Sequence, residues 1–373
     1  MSERILSFVK REAVLCIAGV LALASMALAP PSEAYLDYID FRVLALLFCL
    51  MAVVAGLQSV GLFQSLAGRL LRRVSNTRQL AALLIFLCFF ASMLVTNDVA
   101  LITFVPFAAL VLSLAGRTQY WILIVVLQTI AANLGSMLTP IGNPQNLYLY
   151  ARAGYTPGAF LAVTGPVTLL AGVLLAAALL LIPREPVRVA APARALSRGA
   201  GKRLTVYLLL FVLSLGAVAR LLHPVVPLLL VVGALLCIDR SLFRKIDYCL
   251  LLTFLFFFIC IGNLGSLPSV RTLLEQSIHG REFAAGVLLS QVISNVPAAI
   301  LLSGFTNNYR DLLLGVDVGG LGTLVASLAS LISYKHYAKG ENAATGRYLA
   351  VFTLLNAAFL AALCFGVWLI YLR

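Results

Sequence analysis

Residues 139–146 read Thr-Pro-Ile-Gly-Asn-Pro-Gln-Asn, inside an otherwise apolar stretch that runs from 119 to 152. An α-helix cannot pass through them unbroken. Pro140 and Pro144 supply no N–H donor, and Gly142 is a poor helix former. At mid-membrane, unpaired backbone is tolerated only where protein buries it or where it lines a watery cavity. The octapeptide therefore predicts a membrane helix interrupted on purpose. Its freed carbonyls and the side chains of Thr139, Asn143 and Asn146 offer oxygen to a small cation or a substrate. A half-helix starting near Asn146 would point its positive end at an anion.

Composition places that break in a membrane. Of 373 residues, 62% are hydrophobic and 11% charged, with mean hydropathy +1.03. Soluble domains run near ~50% apolar and ~25% charged, so this chain cannot cover a water-facing surface. Disorder and nucleic-acid binding are excluded despite a net charge of +13. An all-α polytopic membrane protein follows, in a multi-pass plasma (inner) membrane setting. Cys16, Cys49, Cys88, Cys237, Cys249, Cys260 and Cys364 are scattered without a C-x-x-C pair and read as small buried hydrophobes. His223, His279 and His336 stand unpaired near segment ends. Lys10-Arg11, an apolar run and Ala27-Leu28-Ala29 resemble a signal peptide, but an uncleaved first helix fits a chain with many later spans.

A spanning helix needs about 20 apolar residues. Runs near 11–29, 42–58, 158–182, 204–222, 224–239, 247–263 and 347–371 read as full spans. The stretches 79–115, 119–152 and 283–336 do not. With a cytoplasmic N-terminus and 79–115 as a hairpin that enters and leaves on one side, only Arg42, Arg152, Arg220, Arg271, Arg281, Arg310 and Arg373 lie outside. The other 20 of the 27 Lys and Arg are then cytoplasmic, a strong positive-inside bias. A single crossing at 79–115 would instead expose the basic cluster of 183–203, the one linker-like stretch.

That linker divides the chain into a first repeat (1–182), a basic cytoplasmic linker (183–203), a connecting span (204–223) and a second repeat (224–373). Both halves run through two spans, an amphipathic segment (Ser59–Arg73, Ser266–Gly280), a re-entrant hairpin, an interrupted helix and a closing span. The hairpin tips read Thr96-Asn97-Asp98-Val99 and Ser294-Asn295-Val296-Pro297. The second interruption, Thr323-Leu-Val-Ala-Ser-Leu-Ala-Ser-Leu331, has no Pro or Gly, and Ala326 stands where Gly142 does. On this register Asn133 matches Asp317, and Tyr150 matches Tyr334. Inverted repeats with broken helices are the pattern of secondary transporters, with the site at the breaks. The pattern also predicts that Ser294 and Asn295 face Thr96 and Asn97 across the centre.

Asp98 reads as the one carboxylate deep in a membrane segment, which by default marks an ion or proton path, although Asp also caps helices well. Asp317 reads as lying near an element start, where capping is an equal alternative. Asn143 and Asn146 are turn formers or ligands. Gln58 and Asn263 read as interhelical hydrogen-bond glue, and Phe254–Phe258 as packing material.

The two tips and two breaks together resemble the ion transporter superfamily, in its citrate-transporter-like and arsenite-permease-like branch, which is related to divalent anion:Na+ symporters. The likeness covers most of the chain. It implies a hairpin-and-broken-helix fold, a homodimer, elevator-type movement, and a cation site at the tip and break of each half with substrate between the tips. Thr96, Asn97 and Asp98 match the first signature, and Ser294 and Asn295 the second. A Na+ coupling ion would sit at Thr96, Asn97, Asp98, Gly142 and Asn143, and Thr323 and Ser327 extend the second half's set. Relatives that carry Na+-coupled carboxylates show Ser-Asn-Thr at the tips, where this chain has Asp98 and Val296 in third place. The implied activity is secondary active transport of an anion, a carboxylate such as citrate or a dicarboxylate, or an oxyanion, coupled to Na+ or H+. A Na+/H+ antiporter or an arsenite/antimonite permease is the alternative. An intramembrane enzyme and a primary pump lack their motifs: paired aspartates, H-E-x-x-H, a Ser–His arrangement or a phosphate-binding loop.

Overall fold

The computed structural model describes residues 12–33, 35–187, 200–340 and 343–372. The described residues are helical, with one isolated bridge between Asn76 and Pro186. Seventeen helices matter here. They are α1 (Ala13–Leu28), α2 (Phe41–Ser59), α3 (Leu62–Leu71), α4 (Thr77–Ala91), α5 (Asn97–Leu114), α6 (Trp121–Ser136), α7 (Pro144–Arg152), α8 (Pro157–Ala178) and α9 (Ala200–Val218). The rest are α10 (Val225–Ile238), α11 (Tyr248–Gly265), α12 (Pro268–Ile278), α13 (Glu282–Ile293), α14 (Asn295–Ser303), α15 (Tyr309–Val318), α16 (Leu328–Ala338) and α17 (Thr345–Val367). Among the described residues, seven helices are long and apolar enough to span a bilayer. The chain is an all-α polytopic membrane protein.

Two of the expected full spans are shorter than their apolar runs. The 11–29 run gives the 16 residues of α1, and 224–239 gives the 14 of α10. Chain punctuation is the reason. Ala29 is extended ahead of Pro30-Pro31, and α10 is bounded by Pro224 and the extended Asp239. The second hairpin arm and the front of the broken helix (Asn97–Leu114, Thr118–Ser136) reach spanning length instead.

Element order from α2 to α8 repeats from α11 to α17, and matching ends are built alike. Asp40 and Asp247 share φ −81° and ψ 85° and cap α2 and α11 by accepting from Val43 N (3.0 Å) and Leu250 N (2.9 Å). Both amphipathic segments form short helices, α3 and α12. Helix α6 is buried at every residue from Ile124 to Ser136. It lies hard against α4, since a Cβ on Gly135 would stand 2.0 Å from the Phe89 carbonyl oxygen. By contrast, Leu169, Leu180, Leu209, Val212, Leu229 and Leu354 point outward from α8 to α17, an apolar belt suited to lipid.

The linker begins later than 183. Residues 183–187 strap the base of the first hairpin: Thr77 N donates to Glu185 O (2.9 Å), Val187 N to Ser75 O (3.0 Å), and the Thr77 hydroxyl to Pro183 O. Glu185 pairs with Arg117 at 2.6 Å and accepts from the Tyr120 hydroxyl at 3.1 Å. Residues 200–203 already belong to α9. The rest of the expected linker, 188–199, lies outside the described residues.

Candidate functional site

Each tip is fastened to the break of its own half by the same bonds. In the first half Asn97 N donates to Gly142 O (3.2 Å), Gly142 N to Thr139 O (3.3 Å), and the Thr139 hydroxyl to Met93 O (2.5 Å). In the second half Asn295 N donates to Ala326 O (3.0 Å), Ala326 N to Thr323 O (3.1 Å), and the Thr323 hydroxyl to Gln291 O (3.0 Å). The pairing of Gly142 with Ala326 read from the sequence is thus the pairing the backbone makes. Thr139 and Thr323 spend their hydroxyl protons on these ties.

The breaks differ in how they are broken. The first relies on Pro140, Gly142 and Pro144, with Asn143 capping α7 in extended conformation. Asn146 Nδ2 donates to the carbonyls of Ser136 (3.2 Å), Met137 (3.4 Å) and Thr139 (3.3 Å), so its amide is a brace for the loop. The second break is not free of glycine, as the stretch from 323 suggested. It opens earlier, at Gly319-Gly320-Leu321-Gly322, where Gly322 takes φ +105°, a conformation glycine tolerates. Gln291 then holds it open: Nε2 donates to Gly319 O (2.9 Å) and Leu321 O (3.0 Å), and Oε1 accepts from Thr323 N (2.9 Å). At the second tip Ser294 adopts φ 75° and ψ 154°, a strained conformation of the kind stored at ligand clamps.

Across the halves the meeting is tip to break rather than tip to tip. Asn97 Nδ2 donates to Asn133 Oδ1 (2.9 Å), which also accepts from Ser327 Oγ (3.0 Å); Asn133 Nδ2 donates to Ser330 Oγ (3.4 Å). Helix α5 packs on α16, and α14 on α7. Gln145, from the first break, donates to Asp317 Oδ1 at 3.4 Å.

Two cavities open at these junctions. The first, about 270 Å³, is lined by Thr96, Asp98, Asn143, Pro144, Gln58 and Lys245, with apolar walls. The second, about 150 Å³, is lined by Val296, Pro297, Ser327 and Leu328. Asp247 and Leu250 line both, at the start of α11. Four helix N-termini face these spaces: α5 and α7 in the first cavity, α14 and α16 in the second. None of their N-cap residues (Thr96, Asn143, Ser294, Ser327) makes a side-chain cap bond. Positive dipole ends without side-chain caps, in a concave and mostly apolar setting, are suited to an anion.

The two aspartates exchange the places the sequence gave them. Asp98 is not the cap of α5; Thr96 is, and Asp98 sits in the first turn, partly exposed to the first cavity, with its N–H on Asn97 Oδ1 (2.9 Å). Asp317 does not start an element. It lies in the last turn of α15, which Asn308 caps, and is 2% exposed. Among residues that the sequence did not single out as site residues, Gln58 lines the first cavity and donates to Thr103 Oγ1 (3.0 Å), while Asn133, Gln145 and Gln291 join the tips and breaks. Asn263 is glue as expected, donating to Ser25 Oγ (3.0 Å) and the Tyr35 hydroxyl (2.8 Å). Lys245, exposed at the end of the short 3-10 helix before α11, brings a positive charge to the first cavity.

A family model described as citrate transporter matches residues 1–308. The chain belongs to the citrate transporter family. The Escherichia coli inner membrane protein YbiR is 31% identical over 309 residues, covering 80% of each chain. An uncharacterized transporter of Methanocaldococcus jannaschii, MJ0456, is 30% identical over 325 residues, 86% of this chain and 87% of that one. In fold, the chain is similar to the Alcanivorax borkumensis YdaH transporter, whose crystal structure is described as having an unusual topology. The TM-score is 0.53 at 16% identity, over 90% of this chain and 86% of that chain. Membership of the citrate transporter family makes this chain a multi-pass membrane transporter, not an enzyme, acting on a small substrate in a lipid bilayer.

Proposed function

We propose that the protein is a secondary active transporter that moves a small anion, a carboxylate such as citrate or a dicarboxylate, or an oxyanion, coupled to Na+ or H+. One observation carries the reading: four uncapped helix N-termini, two from each half, face two cavities at the tip–break junctions. They supply positive potential without a buried Lys or Arg, and Lys245 adds a charge at the first cavity. A coupling cation at Thr96, Asn97, Asp98, Gly142 and Asn143 would offset the substrate's charge. The bond-for-bond agreement of the halves supports an inverted repeat, and with it alternating access of the elevator type. The cytoplasmic N-terminus follows from the distribution of Lys and Arg, and a homodimer from the family likeness. Asp98 on the cavity wall favours a second reading, cation/proton antiport or permeation of a weak acid such as arsenite.

The test is uptake by purified protein in liposomes with imposed Na+ or pH gradients, across a panel of carboxylates and oxyanions. Gradient-driven accumulation of one anion class is expected. Flux that ignores both gradients would overturn secondary transport, and cation exchange with no anion moved would establish the second reading.

A further inference from the structure

Asp317 is buried with one carboxylate oxygen unaccounted for. Oδ1 accepts from Gln145 Nε2 at 3.4 Å, whereas Oδ2 has no hydrogen-bond partner. The residue lies in the last turn of α15, at the negative end of that helix, where a negative charge is disfavoured. It lines neither tip cavity. A bare carboxylate under these conditions is severely destabilised unless it is neutralised. Among the described residues, no Lys or Arg of the elements packed on α15 forms an ion pair with it. Helix α13 brings Glu282, which Thr306 engages at 3.1 Å. Helix α7 brings Tyr148, Tyr150 and Arg152, and α17 brings Arg347, Tyr348 and Cys364. On α15 itself Arg310 pairs with Asp311 at 2.8 Å, and Tyr309 lies near the same end. Helices α6, α8 and α14 carry no titratable side chain.

We propose that Asp317 holds a proton in this conformation, and that its contact with Gln145 is where proton occupancy in the second half is felt by the break of the first half, making Asp317 the proton-coupling carboxyl of the transporter. The coupling role rests on the transport reading above; the protonation itself does not. The proton comes from water and sits on Oδ2, turning an orphan acceptor into a donor. Its loss would leave a buried charge beside the side-chain amides of Gln145 and Asn146, both on the first break, drawing that break toward α15. Asn133, at the matching position, is a neutral amide held by the first tip, so at this position the second half has a titratable group and the first does not.

Infrared spectra of the purified full chain in lipid should show, at neutral pH, a protonated-carboxyl C=O band that is absent in Asp317→Asn. Gln145→Leu should fold and shift that band, because Oδ1 loses its donor; this variant decides if Asp317→Asn does not fold. In liposomes loaded with a pH-sensitive dye, citrate uptake should carry protons inward in the wild type and lose that proton flux in Asp317→Asn. Absence of the band, or its appearance only after Na+ is removed, overturns protonation. Unchanged proton flux in Asp317→Asn overturns the coupling role. A wild type that moves neither citrate nor any other anion of the panel overturns the transport reading and the coupling role with it, while the band still decides whether Asp317 is protonated.

Discussion

At the scale of single residues, Gly142 and Asp98 do different work. A Cβ on Gly142 would stand 2.1 Å from the Ser136 carbonyl oxygen, so even alanine must push the first break apart and disturb the Asn97–Gly142 bond. Insertion depends on the long apolar helices and should survive. Gly142→Ala is expected to reach the membrane in normal amounts and to lose roughly tenfold or more in transport, the effect of a ~1.4 kcal/mol misplacement. Ala326, its partner in the second half, already carries a Cβ, so Ala326→Gly should leave transport far less affected; equal losses in both would show that crowding is not the cause. Asp98 tests charge rather than shape. Asn97 and Thr96 serve the helix end, so Asp98→Asn should alter thermal stability by less than about 1 kcal/mol yet remove the dependence of uptake on Na+. Retention of that dependence would place the coupling ion elsewhere.

At the scale of elements, the short strap at 183–187 is a device that composition concealed. Pro, Arg and Glu there read as solvated linker, yet Glu185 closes the base of the first hairpin through Arg117 and the Tyr120 hydroxyl. The pair is partly exposed and contributes modestly, so Glu185→Ala should lower stability by about 1 kcal/mol, seen as a lower melting temperature in detergent. No change in melting would mean that the backbone bonds of Thr77 and Val187 suffice. The same contrast explains what was legible. Pro140, Gly142 and Pro144 announce the first break because they cannot be helix, and Thr96-Asn97-Asp98 announces a tip because polar residues are costly there. The sequence pattern puts the second break a few residues late. Its Gly319, Gly320 and Gly322 also suit close helix packing, and what keeps it open is Gln291, 28 residues before Gly319, a partner that no local pattern reveals. Asp317 is hard to place for a related reason: a carboxylate near a helix end looks like a cap until the direction of the helix is known.

At the scale of the whole molecule, the hydrogen bonds tie some helices together and leave others apart. Asn97, Asn133, Ser327 and Ser330 bind the first tip to the second break, and Gln145 binds the first break to α15. Hairpins and broken helices of both halves are therefore one packed body. Among the described residues, its one side-chain hydrogen bond to α2 is the 3.0 Å contact of Gln58 with Thr103 beside the first cavity. If the paired hairpins carry substrate as a unit past α2, α9 and α11, the Asn133 links must persist through the cycle and the Gln58–Thr103 contact must break. After the seven native cysteines are replaced, Gln58→Cys with Thr103→Cys joined by a short thiol cross-linker is expected to abolish uptake, with activity returning on reduction of a cleavable linker. The double variant without cross-linker serves as its own reference. A cross-link between Asn133→Cys and Ser330→Cys, within the moving body, should cost far less of the activity that its own uncrosslinked double variant shows. If the cross-linked Gln58–Thr103 pair transports at the uncrosslinked rate, the hairpins do not move against α2, and the cavities must open by local motion of the tips alone.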